Sequence, residues 1–386
     1  MKRYFRFGQF AIGPLLIATI FGGSEPVFCS NDPDFSPAPE LQRNSITFIM
    51  GEDHNPSNPF YAEAAEYFRL DPTDRTEIVV TSCRSLIEVR DYLEINHRPA
   101  HTPWGLINIV VHSNEWGGLK VPVVPNGMRT TSEVLDKSIK SGEFSPLKKS
   151  IVDSKTEIRI QGCGLGRNKY FLNLVSTAFG GNNLNSHKPI VRSSRYFLFF
   201  ETSRLNGIIV DCNKYISDYW YAFYPTGYRP GDIRLARQLK RRYPKANVDW
   251  RKALKQTEQH LLGDPFHSTF RLPLKWTVTY RNVNSVPDLS QVENQKKWLG
   301  KQKEIQNYMK ILGIPIDYFR WQYKKDFYLQ DDETQHAAIN VSGDCTVLCV
   351  LKVFTLADPI DSDIKRPFHP SVTDTSFYGT TVPLSD

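Results

Sequence analysis

Residues 157–168 read EIRIQGCGLGRN. A five-residue strand pattern runs directly into a cysteine held between Gly162 and Gly164. The same design occurs earlier in the chain. GLINIVV at 105–111 is followed at once by His112, Ser113 and Asn114. Two apolar segments that each end in a chemically active side chain predict strands whose carboxyl ends share one edge of a sheet. In open α/β sheets that edge is where ligands bind.

The surrounding pattern supports such a sheet. SITFIM (45–50) and EIVVTS (77–82) read as strands. Asn58 and Pro59 open a helix carrying AEAAEYF, as N-cap and first turn. Leu86, Val89 and Leu93 have helical spacing within 85–95. Further helices are predicted over 131–139 and over 169–179, the latter stopping at Gly180-Gly181. SRYFLFF (194–200) and GIIVDC (207–212) bring the strands to six. Strands alternating with helices predict an α/β domain over 45–224, a mostly parallel six-stranded sheet flanked by helices. The continuous apolar runs predict cover on both sheet faces.

Beyond Pro225 the rhythm changes. Residues 225–358 read as a smaller α+β module. It has helical patterns at 231–244 and 249–262, a strand at 274–280, one long amphipathic helix at 292–312 closed by Gly313, and strands at 317–329 and 345–356. Phe319, Trp321 and Tyr323 alternate as a core stripe would. The polar, Pro-rich segment 359–386 is expected to be loosely ordered.

At the other end, Lys2, Arg3 and Arg6 precede an apolar run from Phe10 to about Phe21, and Gly22, Gly23 and Ser24 follow. The run is too short for a membrane span and has the layout of a secretory signal peptide over 1–30. A Pro/Ser/Asn-rich linker covers 31–44. Phe28 is too bulky for lipoprotein processing at Cys29. The expected location is secreted or periplasmic, with no membrane span in the mature chain.

The net charge of +7 over 386 residues is mild, and no nucleic-acid partner is expected. The densest basic run, Arg237–Lys245, reads as a solvated helix face or a site for an anionic partner. Of six cysteines, removal of Cys29 leaves five, so at least one thiol stays unpaired. Cys345 and Cys349 are about 13 Å apart along a strand, too far for a bridge. No Cys/His zinc spacing occurs.

If the strands before His112 and Cys163 are neighbours, an imidazole lies beside a thiol. A free thiol has a pKa near 8.5. The imidazole takes its proton or stabilises the thiolate, and later protonates a leaving amine. The backbone amide of Cys163, with that of Ser113 or a nearby glycine, is expected to bind the oxyanion of a tetrahedral intermediate. The bare flanking glycines leave room for a peptide carbonyl. This chemistry needs no cofactor. Gly162, Gly164 and Gly166 share the glycine spacing of a dinucleotide loop, but they lie in the fourth strand–helix unit and lack the later glycine and acid. Cys163 and Arg167 are too close for a phosphatase loop.

These residues resemble the caspase–gingipain–legumain clan of cysteine peptidases. The block strand–His–small residue, followed about 50 residues later by strand–small residue–Cys, is similar to that clan's pattern. Gln161-Gly162-Cys163 is similar to the Gln-Ala-Cys of caspases. The resemblance covers about 45–224 and implies a caspase-like fold, His112 as general base and acid, Cys163 as nucleophile, and a protein or peptide substrate. The clan usually has glycine directly after the histidine, where this chain has Ser113. The resemblance implies a pocket for the residue before the cut lined by Glu52, Asp53, Gln161, Arg192 and Arg195. The acids would favour a basic residue there and the arginines an acidic one; Glu52 or Asp53 would alternatively orient His112. The reading is an exported cysteine endopeptidase. Its rivals are an inactive caspase-like protein that binds a partner, for which Ser113 is the suggestive residue, and a hydrolase or acyltransferase using the same thiol on a non-peptide substrate.

Overall fold

A computed structural model describes residues 43–54, 59–71, 74–97, 102–181, 187–257, 264–329, 335–354, 371 and 373–381. Residues 1–30 and most of 31–44, the expected signal peptide and linker, lie outside the described residues.

The elements are β1 (Ser45–Ile49), α1 (Phe60–Leu70), β2 (Ile78–Val80), α2 (Leu86–Ile95), β3 (Leu106–Val110), β4 (Ser113–Asn114), β5 (Gly118–Pro122), β6 (Arg129–Thr130), α3 (Ser132–Lys140), β7 (Glu157–Gln161), α4 (Lys169–Gly180) and β8 (Ile190–Ser194). There follow β9 (Phe197–Leu205), β10 (Ile208–Pro225), α5 (Asp232–Arg242), α6 (Trp250–Lys255), β11 (Pro265–Tyr280), α7 (Val292–Lys301), α8 (Lys303–Leu312), β12 (Arg320–Leu329), β13 (Gln335–Phe354) and β14 (Tyr378–Thr380).

The first sheet has the order β14-β8-β7-β3-β1-β2 and is parallel except for β14. Alternation along its strands separates two faces. Ile46, Phe48, Ile107, Ile109, Ile158, Ile160 and Val191 pack under α2, α3 and α4 in one buried cluster. Ile49 and Val110 face the other way, onto Phe60, Tyr61, Ala64 and Phe68 of α1. That second face is not a continuous apolar run. Gln161 Nε2 donates to Asn108 Oδ1 at 3.0 Å, Asn108 Nδ2 to Thr47 Oγ1 at 3.2 Å, and Thr76 Oγ1 to the same Thr47 oxygen at 2.9 Å. This buried polar ladder satisfies groups that would otherwise be costly to desolvate.

Beside it lies a charged network. Asp74 is ion-paired with Lys214, accepts from Tyr67 Oη at 2.8 Å and faces Arg159 at 3.8 Å. Burial pushes the Asp74 carboxyl up, but Lys214, Tyr67 and Arg159 outweigh it and hold the carboxyl below its usual range.

The expected strands at 194–200 and 207–212 do not extend the parallel sheet. They belong to β9 and β10, which form an antiparallel hairpin around Asn206 and Gly207, both at positive φ (52° and 82°). This pair of backbone angles is what a two-residue hairpin turn requires. The hairpin joins a second sheet, β11-β13-β10-β9. β13 is its spine. One edge pairs along β11, and the other is shared between β12 and β10. α5 and α6 cover one face of this sheet. Trp298, Leu299, Ile305 and Met309 of α7 and α8 cover the other. The division expected at 224/225 therefore falls inside β10, and the described residues form one compact unit.

Two further expectations change. The helix predicted over 292–312 breaks at Gln302, whose ψ of 95° leaves the helical region and whose side chain donates to the Trp298 carbonyl at 3.0 Å. Within 359–386, expected to be loose, Tyr378–Thr380 supplies β14, which pairs antiparallel with β8 and completes six strands in the first sheet.

Candidate active site

β3 and β7 are adjacent and parallel, with Val110 opposite Gln161. The pairing continues beyond the strands, where Val111 N–H donates to the Gln161 carbonyl at 3.2 Å. His112 and Cys163 thus each stand two residues past a matched pair, on one edge of the sheet. Ser113 Oγ donates to the Cys163 carbonyl at 3.3 Å and ties the two strand exits together.

The glycines at this edge have structural causes. A Cβ on Gly162 would lie 2.3 Å from Ser113 Oγ and 2.5 Å from the Val111 carbonyl oxygen. Gly164 has φ of +68°, and a Cβ there would lie 2.6 Å from Tyr219 Oη. Close strand approach and a left-handed turn therefore demand these residues. Access for a substrate is not needed to explain them.

Cys163 is half-buried and its sulfur donates to the Leu198 carbonyl of β9 at 3.9 Å. Burial pushes this thiol up to about 11, with the Leu198 contact opposing the rise. His112 is stacked on Phe60, with ring centroids 4.6 Å apart, and meets the edge of Tyr61 at 4.8 Å. Burial lowers its pKa to about 4; Lys120 adds to the fall and Asp53 opposes it. The imidazole is neutral at neutral pH. No hydrogen bond joins His112 and Cys163 among the described residues, and the Cys163 backbone amide donates to none of them.

The residues expected to line a specificity pocket are dispersed. Asp53 accepts from the backbone of Tyr61 (3.0 Å) and Ala62 (2.9 Å), capping the first turn of α1, and its charge reaches His112. Glu52 is instead paired with Arg84 at 2.8 Å and faces solvent, so Asp53 is the acid nearer the histidine electrostatically. Gln161 is buried in the polar ladder. Arg192 reaches Glu157, at the start of β7, at 3.2 Å. That is the end of the strand opposite Cys163, so Arg192 belongs to the sheet face. Arg195 does lie at the carboxyl edge, with N–H to Phe377 O at 2.8 Å and Nη1 to Thr375 O at 3.1 Å.

Other residues close the site. Tyr61 Oη accepts from the His112 backbone at 3.2 Å, and Cys163 is close enough for its charge to influence the phenol. Tyr61 occupies the space above Gly51, where a Cβ would collide with its ring at 2.2 Å. Arg167 lies over the Tyr219 ring at 3.9 Å, pairs with Asp218 at 3.6 Å and donates from Nε to Arg195 O at 2.9 Å. Glu115, three residues past His112, is a second acid of this cluster beside Asp218. Burial raises its pKa to about 7 against Arg167, Tyr219, Arg242 and Arg195, all of which favour its charged form. Nothing in the local sequence marks Glu115, Tyr61 or Tyr219, because their roles arise from contacts across the two sheets.

The five described cysteines are free thiols, and only Cys163 among them is not buried. Among the described residues no helix is long and apolar enough to cross a membrane. Comparison with protein-family models, curated proteins and solved structures finds no match.

Proposed function

We propose that the chain is an exported cysteine endopeptidase of caspase-like type, in which Cys163 attacks a peptide carbonyl and His112 moves the proton. The observation that carries this reading is the parallel pairing of β3 with β7, which delivers both residues to one sheet edge. The Cys163 amide, which donates to none of the described residues, supports an oxyanion site there. Export rests on the residue pattern of 1–30.

The described arrangement is a resting one. Burial raises the thiol and lowers the imidazole, so proton transfer between them is disfavoured in this arrangement. Catalysis requires the sulfur to leave the Leu198 carbonyl and pair with the imidazole. A bound peptide strand that competes for that carbonyl would release it.

A second reading, a non-catalytic partner-binding protein, is favoured by the sheltered sulfur and by Ser113 Oγ on the Cys163 carbonyl. The two separate in one experiment. The purified protein is incubated with a panel of peptidyl acyloxymethyl ketones and examined by intact mass. The peptidase reading expects one adduct, lost in Cys163→Ala, and a loss of at least about 100-fold in labelling rate in His112→Ala. No adduct with any peptide, in protein that is folded by circular dichroism, refutes it and leaves the binding role.

A further inference from the structure

The basic run 237–245 is not used by the site at Cys163. It belongs to α5 and the segment that follows. Arg234, Arg237 and Arg241 recur on α5 at i, i+3 and i+7 and share one helix face. All three are exposed, and none has an ion pair or side-chain hydrogen bond among the described residues. By contrast Arg229 is paired with Asp232 at 2.7 Å, and Arg242 lies over Tyr221 at 4.3 Å.

The three arginines line a cavity of about 480 Å³ at the end of β10, with Tyr228 and Tyr318 among its walls. That volume is within the usual range for a ligand site. Asp317 is the one carboxylate on the lining. Tyr228 is 67% exposed there, an aromatic face left open to solvent beside unpaired cations.

We propose that this cavity binds an acidic peptide segment. At 1.5 Å per residue the guanidinium row is about 10 Å long, and Arg237 and Arg241 rise about 6 Å apart. A single phosphate is too small to engage such a row. An extended peptide repeats its same-side residues every 6–7 Å, so carboxylates at alternate positions match the row. Guanidinium–carboxylate hydrogen bonds supply the orientation. The tyrosine walls take the intervening backbone and apolar atoms. The site lies on the second sheet and does not depend on the chemistry assigned to Cys163.

The test is fluorescence anisotropy with a labelled hexapeptide of alternating Asp and Ala, run against its Lys/Ala counterpart on the full chain. The Asp peptide is expected to bind saturably and to weaken as ionic strength rises. Arg234→Glu/Arg237→Glu/Arg241→Glu is expected to lower its affinity at least tenfold, Arg237→Glu alone to lower it less, and Cys163→Ala to leave it unchanged. Circular dichroism verifies that each variant is folded. Equal binding of the two peptides, an unchanged affinity in the folded triple variant, or binding of tripolyphosphate without binding of the Asp peptide overturns the proposal.

Discussion

Replacing Gly162 by alanine adds one methyl group where the exits of β3 and β7 approach closely. Ideal geometry puts that carbon 2.3 Å from Ser113 Oγ and 2.5 Å from the Val111 carbonyl. The serine hydroxyl can rotate away. The carbonyl is backbone, set by β3, and cannot move without parting β3 from β7. Overpacking of this kind costs about 1–3 kcal/mol, and the backbone contact puts Gly162→Ala at the upper end. For a unit of this size that is a fall of about 4–6 °C in melting temperature. Ser113→Gly placed in the same chain removes the nearer clash and is expected to recover part of the loss. The clan this chain resembles carries glycine after its histidine and, in caspases, alanine before its cysteine. Here the bulk sits on the other strand exit, so the double change is the exchanged pairing. The assay is thermal and urea unfolding of the wild type, both single variants and the double, read as a double-mutant cycle. A melting temperature for Gly162→Ala within a degree of wild type, or strictly additive effects, would show that the strand exits are not packed as described.

Two other outcomes follow from buried charges. Glu115 has a folded pKa raised to about 7 against an unfolded value near 4.3, so its proton stabilises the fold at low pH. That contribution, a few kcal/mol at most, is present below about pH 4 and lost as pH rises to about 7; Glu115→Gln should flatten the unfolding free energy over that window, and an unchanged slope would refute the assignment. Lys214→Met leaves Asp74 buried without its principal cation and should cost about 3–5 kcal/mol in urea unfolding. Adding Asp74→Asn should return much of it, and failure to do so would mean that the pair is not coupled.

Most of the parallel core was legible because β1, β2, β3 and β7 are short, largely apolar runs interleaved with helices that have their own caps or stops, whereas β8, IVRSS, has a weak apolar signal and leads into β9. The hydroxyls of Ser85 and Thr131 accept from Glu88 N and Val134 N, as N-cap residues do. That the strands before His112 and Cys163 are parallel neighbours was legible for the same reason. The β9–β10 hairpin was assigned to the wrong sheet although its signal is present. Asn206-Gly207 between two apolar runs is a hairpin mark, and a hairpin makes its strands antiparallel. Gln161 and Arg192 could not be placed, because alternation says which face a residue takes but not whether that face is solvent, pocket or another layer. Here it is closed by α1 and by Lys214 of β10. Tripeptide likeness drew Gln161 into the site, and its amide lies in the ladder to Asn108. The β14 strand is three residues long and has no periodic signal of its own.

That last strand makes the sheet a late product of synthesis. Arg195 and its partner Thr375 are 180 residues apart in the chain, and Gly379 lies directly against Gly166, in the turn that follows Cys163. A ribosome that has released β1, β3, β7 and β8 has also released His112 and Cys163, while β8 still lacks its outer partner. That outer partner is complete only after residue 380 emerges, so a nascent or prematurely terminated chain would present the β8 border bare, where the finished protein covers part of it with β14.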